Sequence, residues 1–174
     1  MVTLKAASAN DGILLAKLMR DTFKDAYREV HSAEDIKEYC GRVYADGRIH
    51  TELSDQAAVI KIAFMGETPV GFYQLVKKAC PLDAREPAYE LKRIYVLASQ
   101  YGRGTGKLLY EDVIKTCKTR DAALMWLAVA DNNKRAQTFY QKQGLVIVGA
   151  GEVIPVGSDS LTSSILICDL HNIN

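Results

Sequence analysis

The sequence predicts an α/β domain: a mixed, mostly antiparallel sheet with helices on both faces. Three observations carry this. "AAVIKIAFM" (57–65) and "PVGFYQLV" (69–76) are strand-like runs split by the turn "GET", which reads as an antiparallel hairpin. "AYELKRIYVL" (88–97) leads through a glycine-rich turn into a helical pattern that returns on "ALMWLAVA" (123–130), a parallel crossover. Helical patterns also lie near the N-terminus and after residue 130, so both faces of the sheet receive cover.

The elements follow in order. Val2–Lys5 reads as a short first strand. Asn10 and Asp11 are candidate caps for a helix with apolar positions Ile13, Leu14, Leu15, Leu18, Met19 and Phe23. "SAED" (32–35) resembles a capping box with Asp at its last position, and Ile36, Tyr39, Cys40 and Val43 follow at helical spacing. After the hairpin, "CPLDAREP" (80–87) is a loop with two prolines, and 88–97 is the next strand. Leu108, Leu109, Val113, Ile114 and Cys117 give a helix from about residue 104. "NNKRAQTFYQKQG" (132–144) reads as a helix ended by Gly144. "LVIVGA" (145–150) and "SLTSSILICDL" (160–170) are two closing strands. The predicted order is strand, two helices, three strands, helix, strand, helix, two strands.

A chain of 174 residues is expected to form one domain over its whole length, with a sizeable core. Its 22 basic and 21 acidic side chains give no sign of a nucleic-acid binder or a polybasic membrane protein. No apolar run approaches the roughly 18 residues of a membrane span. No signal peptide is visible, so a cytoplasmic location is expected. Cys40, Cys80, Cys117 and Cys168 are scattered, and His31, His50 and His171 lie far apart. No metal site is expected, and the cysteines read as reduced core residues.

"QYGRGTGKLLYEDV" (100–113) carries three glycines in five positions just before a helix. Gly inside a helix costs about 1 kcal/mol relative to Ala, so their concentration points to something that closely approaches the backbone. N–H groups at a helix N-terminus lack intrahelical partners and carry partial positive charge, which suits phosphate. Gly102, Gly104 and Gly106 leave no Cβ in the way, and Arg103 and Lys107 add charge. A Walker loop is excluded because Tyr101 stands where its first Gly belongs and Leu108 replaces Ser or Thr. The dinucleotide pattern fails because Lys107 or Leu109 occupies its third Gly position. A glycine turn that merely caps a helix remains the alternative on the loop alone.

The remaining pattern is that of the GCN5-related N-acetyltransferases (GNAT), whose acetyl-CoA loop reads Q/R-x-x-G-x-G/A before a helix. "YGRGTG" resembles it at Gly104 and Gly106, with Tyr101 at the Gln/Arg position. "ELKRIYVL" resembles the family's fourth strand. "NKRAQTFYQKQGL" (133–145) resembles its N-x-x-A-x-x-F/L-Y-x-K-x-G-F helix, with Leu145 where Phe is usual. The likeness covers nearly the whole chain and implies the acyl-CoA N-acyltransferase fold.

The resemblance also implies roles. Strands four and five splay apart, helped by a bulge, and admit the pantetheine arm of acetyl-CoA like an added strand. Ile94, Tyr95 and Val96 offer it backbone; Gly102, Arg103, Gly104, Thr105, Gly106 and Lys107 hold the pyrophosphate; Asn133 and Tyr140 face the thioester end. Lys142 is either a nucleotide contact or a solvated lysine. The implied chemistry is direct transfer of an acetyl group to a neutral amine. A strand-four N–H, Val96 by preference, meets the developing oxyanion. Tyr140 serves the departing thiolate; apart from the motif it is a core tyrosine. Glu90 is either the base that deprotonates the amine or a strand carboxylate paired with Lys92 or Arg93.

"TFKDAYREVHSAEDIKEY" (22–39) interleaves Phe23, Tyr27 and Tyr39 with Asp25, Glu29, Glu34, Asp35 and Glu38. It resembles the spermidine/spermine N-acetyltransferases, which implies a polyamine acceptor; solvated helix faces are the alternative reading. Peptide and other small amines stay open as acceptors. So do a catalytically silent acyl-CoA-binding domain and an interaction domain with a vestigial loop. A homodimer contact through the closing strands and "GAGEVIPVGSDS" (149–160) is also open.

Overall fold

The computed structural model describes residues 1–171. The helices are α1 (Gly12–Tyr27), α2 (Ala33–Val43), α3 (Asp46–Leu53), α4 (Thr105–Thr119) and α5 (Lys134–Lys142). The strands are β1 (Val2–Ala6), β2 (Ala58–Met65), β3 (Thr68–Lys77), β4 (Ala88–Val96), β5 (Leu124–Ala130), β6 (Val146–Ala150), β7 (Ile154–Val156), β8 (Asp159–Leu161) and β9 (Ser163–Asp169). Seven of them form one sheet in the order β1-β2-β3-β4-β5-β9-β6, while β7 and β8 pair as a separate hairpin. Every pairing in the large sheet is antiparallel except β4 with β5, so the expected mixed, mostly antiparallel sheet is found.

Two apolar layers sandwich this sheet. On one face Leu15, Met19, Phe23, Ile36 and Ile49 of α1, α2 and α3 pack over Ile60, Ile62 and Phe72. On the other, Leu109, Val113 and Cys117 of α4 and Tyr140 of α5 pack over Tyr73, Leu75, Met125 and Leu127. Each fully buried Leu in these layers contributes about 1.5–3 kcal/mol of transfer free energy. Tyr73 anchors α4 further, because its hydroxyl donates to Asp112 Oδ2 at 2.7 Å while Lys61 Nζ sits 2.7 Å from the same oxygen.

Several boundaries differ from the sequence expectation, each for a local reason. Three helices, not two, separate β1 from β2. The additional α3 fully buries only Ile49, with Leu53 partly buried one turn on, so its apolar signal is two residues. The closing segment holds four strands rather than two, because Gly157 and Ser158 turn the chain between β7 and β8 within the stretch read as a loop. Helix α1 is preceded by a 3-10 turn at Ala9–Asp11, and Asp11 Oδ2 accepts from both the N–H and the Oγ of Ser8 at 2.7 Å. Asp11 therefore completes a box opened by Ser8, and Asn10 makes no capping bond among the described residues. Ser32 does cap α2, accepting from Asp35 N–H at 3.1 Å. The Asp35 carboxylate, however, accepts from Ser158 N–H at 3.1 Å and ties α2 to the β7–β8 turn.

Candidate active site

β4 and β5 pair only over Ala88–Leu124, Tyr89–Met125 and Glu90–Trp126. Beyond these residues β5 stays with β9 as far as Ala130, and β4 stays with β3 as far as Val96, so the two strands part into a gap. The β3–β4 register jumps from Gln74↔Arg93 to Leu75↔Leu91, leaving Lys92 as an extra residue. That is the bulge expected for such a splay.

Helix α3 anchors the bulge. Lys92 Nζ donates to Glu52 Oε1 at 3.0 Å, and the buried Arg93 guanidinium donates to Glu52 Oε2 and, at 2.6 Å, to Gln74 Oε1. Burial alone would raise the Glu52 carboxyl, but hydrogen bonds and charge from Arg93 and Lys92 outweigh it and hold Glu52 below its usual range. Sequence reading missed Glu52 because its partners lie about forty residues away.

Past the bulge, the backbone direction of each residue is fixed by two contacts. Leu97 N–H donates to Val70 O at 2.9 Å. A Cβ on Gly71 would lie 2.8 Å from the Tyr95 carbonyl oxygen, so that carbonyl also faces β3. Strand alternation then turns the polar backbone groups of Ile94 and Val96 toward the gap.

The gap ends at the glycine loop. After a 3-10 turn at Ala98–Gln100, whose first N–H donates to Asp25 of α1 at 2.7 Å, the chain passes Gly102 at φ +71° and Gly104 at φ +85°. Both values lie in the left-handed region that glycine enters without strain. A Cβ on Gly104 would meet nothing within 4 Å. The N–H groups of Gly104, Thr105, Gly106 and Lys107 have no hydrogen-bond acceptor among the described residues. The first turn of α4 thus presents a row of free donors to open space.

A cavity of about 490 Å³ runs from the β4 edge to this turn. Of the residues expected to act together, Ile94, Tyr95, Val96, Gly102, Gly104, Gly106, Lys107, Asn133 and Tyr140 line it. Arg103, Thr105 and Glu90 do not. Thr105 is buried with its hydroxyl donating to Gln100 Oε1 at 3.0 Å, which closes the loop on itself. Glu90 accepts from Lys78 Nζ at 2.9 Å, so neither Lys92 nor Arg93 is its partner. Asn133 has a second task, since its Oδ1 accepts from Ala136 N–H at 3.1 Å and caps α5.

Sequence reading missed Arg135, although Arg135, Thr138 and Lys142 lie three and four residues apart and all line the cavity. The Arg135 guanidinium sits 3.3 Å above the Tyr101 ring centre. The buried Tyr101 hydroxyl has no partner among the described residues. Arg135, Lys107 and Lys142 therefore supply positive charge beside the free N–H row. Burial pushes the Tyr140 phenol up, and nearby Tyr27 adds to the shift, so it remains a protonated donor through neutral and mildly alkaline pH.

Of the α1–α2 acids, none lines the cavity. Asp25 caps the turn after β4, Asp35 holds Ser158, and Glu29, Glu34 and Glu38 are exposed. Phe23 packs between Tyr27 and Tyr39 at 4.5 and 4.4 Å, making core contacts.

Residues 16–145 match the family model described as the acetyltransferase (GNAT) family. An uncharacterized N-acetyltransferase of Mycobacterium tuberculosis is 30% identical over 135 residues, covering 78% of this chain and 83% of that protein. Another from Lactobacillus delbrueckii subsp. lactis is 24% identical over 150 residues, 86% of each chain. Among solved structures, a PaiA N-acetyltransferase from Thermoplasma acidophilum in complex with coenzyme A superposes with a TM-score of 0.80 at 21% identity, covering 97% of this chain and 99% of that one. A probable acetyltransferase from Staphylococcus epidermidis superposes at 0.76 with 20% identity, covering 97% and 99%.

Proposed function

Because the chain belongs to the acetyltransferase (GNAT) family and is an N-acetyltransferase with acetyl-CoA as its cosubstrate, we propose that it passes the acetyl group directly to a primary amine at the open end of the β4–β5 gap. The observation that carries this reading is the gap itself, with strand edges on its sides and a free helix N-terminus at its end. A peptide-like pantetheine arm can pair with the Ile94 and Val96 backbone. The Gly104–Lys107 N–H row fits a pyrophosphate, with Lys107, Arg135 and Lys142 around it and the unpartnered Tyr101 hydroxyl available to a polar group.

Bound acetyl-CoA supplies an activated acyl group. The chain's own work is positional and electrostatic. Val96 N–H donates to the carbonyl oxygen as charge develops there. Tyr140 donates its phenolic proton, or a hydrogen bond, toward the departing sulfur. Glu90 does not line the cavity and Lys78 holds its carboxylate, so it is not placed to deprotonate the amine. Glu90→Gln is therefore expected to change kcat/KM at neutral pH by less than about twofold; a loss approaching the ~10²-fold of a working general base would make Glu90 that base.

The acceptor class is a primary amine, polyamines included. The likeness of segment 22–39 to polyamine acetyltransferases supports the polyamine, with Glu29, Glu34 and Glu38 exposed on that flank. Asp25 and Asp35 are engaged elsewhere and weigh against it. Release of CoA thiol across a panel from polyamines to peptide N-termini tests the reading. Thiol release with at least one amine is expected, and none with any amine overturns catalysis. Acetyl-CoA at a hundredfold excess over its dissociation constant should also stabilise the fold by about 2.7 kcal/mol.

The edge strand β6 favours a homodimer as the solution state. Its Val146 and Ile147 are 56% and 53% exposed at the open margin of the sheet. Sedimentation should give a dimer for the native chain and a monomer for Ile147→Lys; a monomeric native chain removes this reading.

A further inference from the structure

A second cavity, of about 630 Å³, opens between α1 and α2, and its chemistry differs from that of the first. It is lined by Arg20, Lys24 and Arg28 from the α1 side, Lys37 from α2 and His31 from the connection, with Asp21 as its single carboxylate. Arg20, Lys24 and Arg28 are four residues apart and share one helix face. Ala26, which lines the first cavity, is about 200° around the helix from Lys24, so the two cavities lie on different sides of α1.

The charges here are poorly neutralised. Asp21 is taken by Lys17 at 2.5 Å. Arg20 reaches Tyr44 O at 2.8 Å and Asp46 at 3.2 Å, and Arg28 is 3.9 Å from Asp25. Lys24 and Lys37 have no ion pair or side-chain hydrogen bond among the described residues. Like charges at four-residue spacing repel one another.

His31 supplies an independent observation. Its side chain is 1% exposed, and neither ring nitrogen makes a hydrogen bond. Nδ1 lies 3.4 Å from Asp159 Oδ2, which leaves Nε2 wholly without a partner among the described residues. A buried polar group with no partner is costly, and such groups are normally satisfied by protein, water or ligand.

We propose that this cavity binds a small ligand carrying a polyphosphate chain, with Lys24, Arg28 and Lys37 pairing to its oxygens beside the His31 ring in the cavity wall. Several neighbouring cations around a concave site match a run of closely spaced negative charges.

The test is calorimetric titration of inorganic tripolyphosphate into the full chain with CoA at saturation, so that the pyrophosphate site is filled. One site is expected. Lys24→Gln with Lys37→Gln, both exposed substitutions, should weaken it about tenfold or more, as expected for two lost charge-assisted bonds. Lys107→Gln and Arg135→Gln, at the other cavity, should leave it within about twofold, which assigns the site whether or not CoA binds as expected. A long-range proton–nitrogen spectrum should show the His31 Nε2 resonance move on titration, and only three histidines need assignment. ATP in parallel separates the sources: tighter binding than tripolyphosphate marks a nucleotide ligand, equal or weaker binding an inorganic one. The proposal fails if tripolyphosphate does not bind, if the lysine pair is without effect, or if sodium chloride at equal ionic strength reproduces the response.

Discussion

Replacing Tyr140 with Phe is expected to lower kcat roughly 10²-fold while acetyl-CoA affinity stays within about twofold. The ring is what packs on α4 and β5, in edge-on contact with Phe139 at 5.4 Å, and Phe preserves it. Only the hydroxyl is lost, and that group matters most as negative charge gathers on the leaving sulfur. The sign of its pH dependence follows from burial. Burial disfavours the phenolate and raises the folded-state pKa above the unfolded value of about 10, so the donor stays protonated across the usual assay range. The ratio of native to Tyr140→Phe activity should therefore be flat from about pH 6 to about pH 9. Steady-state kinetics with a good amine acceptor measures both parts. An undiminished kcat would mean that the thiolate leaves without help from this residue.

Gly104→Val should raise the acetyl-CoA dissociation constant by about 10²-fold. At φ +85° a branched side chain is strained by about 1–3 kcal/mol, and its methyl groups would enter the open space in front of the Gly104–Lys107 N–H row. Each charge-assisted bond it displaces is worth about 1.5–3 kcal/mol. Gly104→Asn separates the two contributions, because Asn tolerates the left-handed region while still placing a Cβ in the ligand's path. Calorimetric binding and thermal unfolding of both variants give the comparison. If Gly104→Val folds and binds acetyl-CoA as the native chain does, the loop is only a turn.

What was legible in the sequence was mostly local. Gly102, Gly104 and Gly106 announced a backbone open to close approach before a helix, and the hairpin about Gly66 and Glu67 announced itself by a turn between strand-like runs. Asn133 and Tyr140 were placed by a motif on one short helix. Non-local features were not legible. Helix α3 rests on Ile49, and its main task, holding Lys92 and Arg93 through Glu52, joins residues about forty positions apart. "LVIVGA" was legible as a closing strand but its place was not: β6 lies at the sheet margin with Val146, Ile147 and Val148 exposed, because apolar character does not fix a strand's place in the order. Arg135 escaped notice because a helix lysine or arginine is solvated until a fold brings a cavity to it. Which way Glu90 pointed could not be read without knowing where β4 departs from regular alternation.

That departure has a consequence for how β4 tolerates change. Before Lys92, odd-numbered Tyr89 and Leu91 point into the α4–α5 layer. After it, even-numbered Ile94 and Val96 do so, while Arg93 and Tyr95 go to the opposite layer. One inserted residue thus exchanges the parity of the strand midway along its length. Loss of any single residue between Leu91 and Arg93 would restore regular parity. Leu91, Ile94 and Val96 would keep the α4–α5 face and Arg93 and Tyr95 the opposite one, and what would be lost is the extra residue whose bend and twist carry β4 away from β5. A substitution at Lys92 leaves the count intact and costs one contact to Glu52. For this strand the number of residues sets the bend, so a one-codon deletion acts on the width of the gap, while a substitution leaves the gap in place.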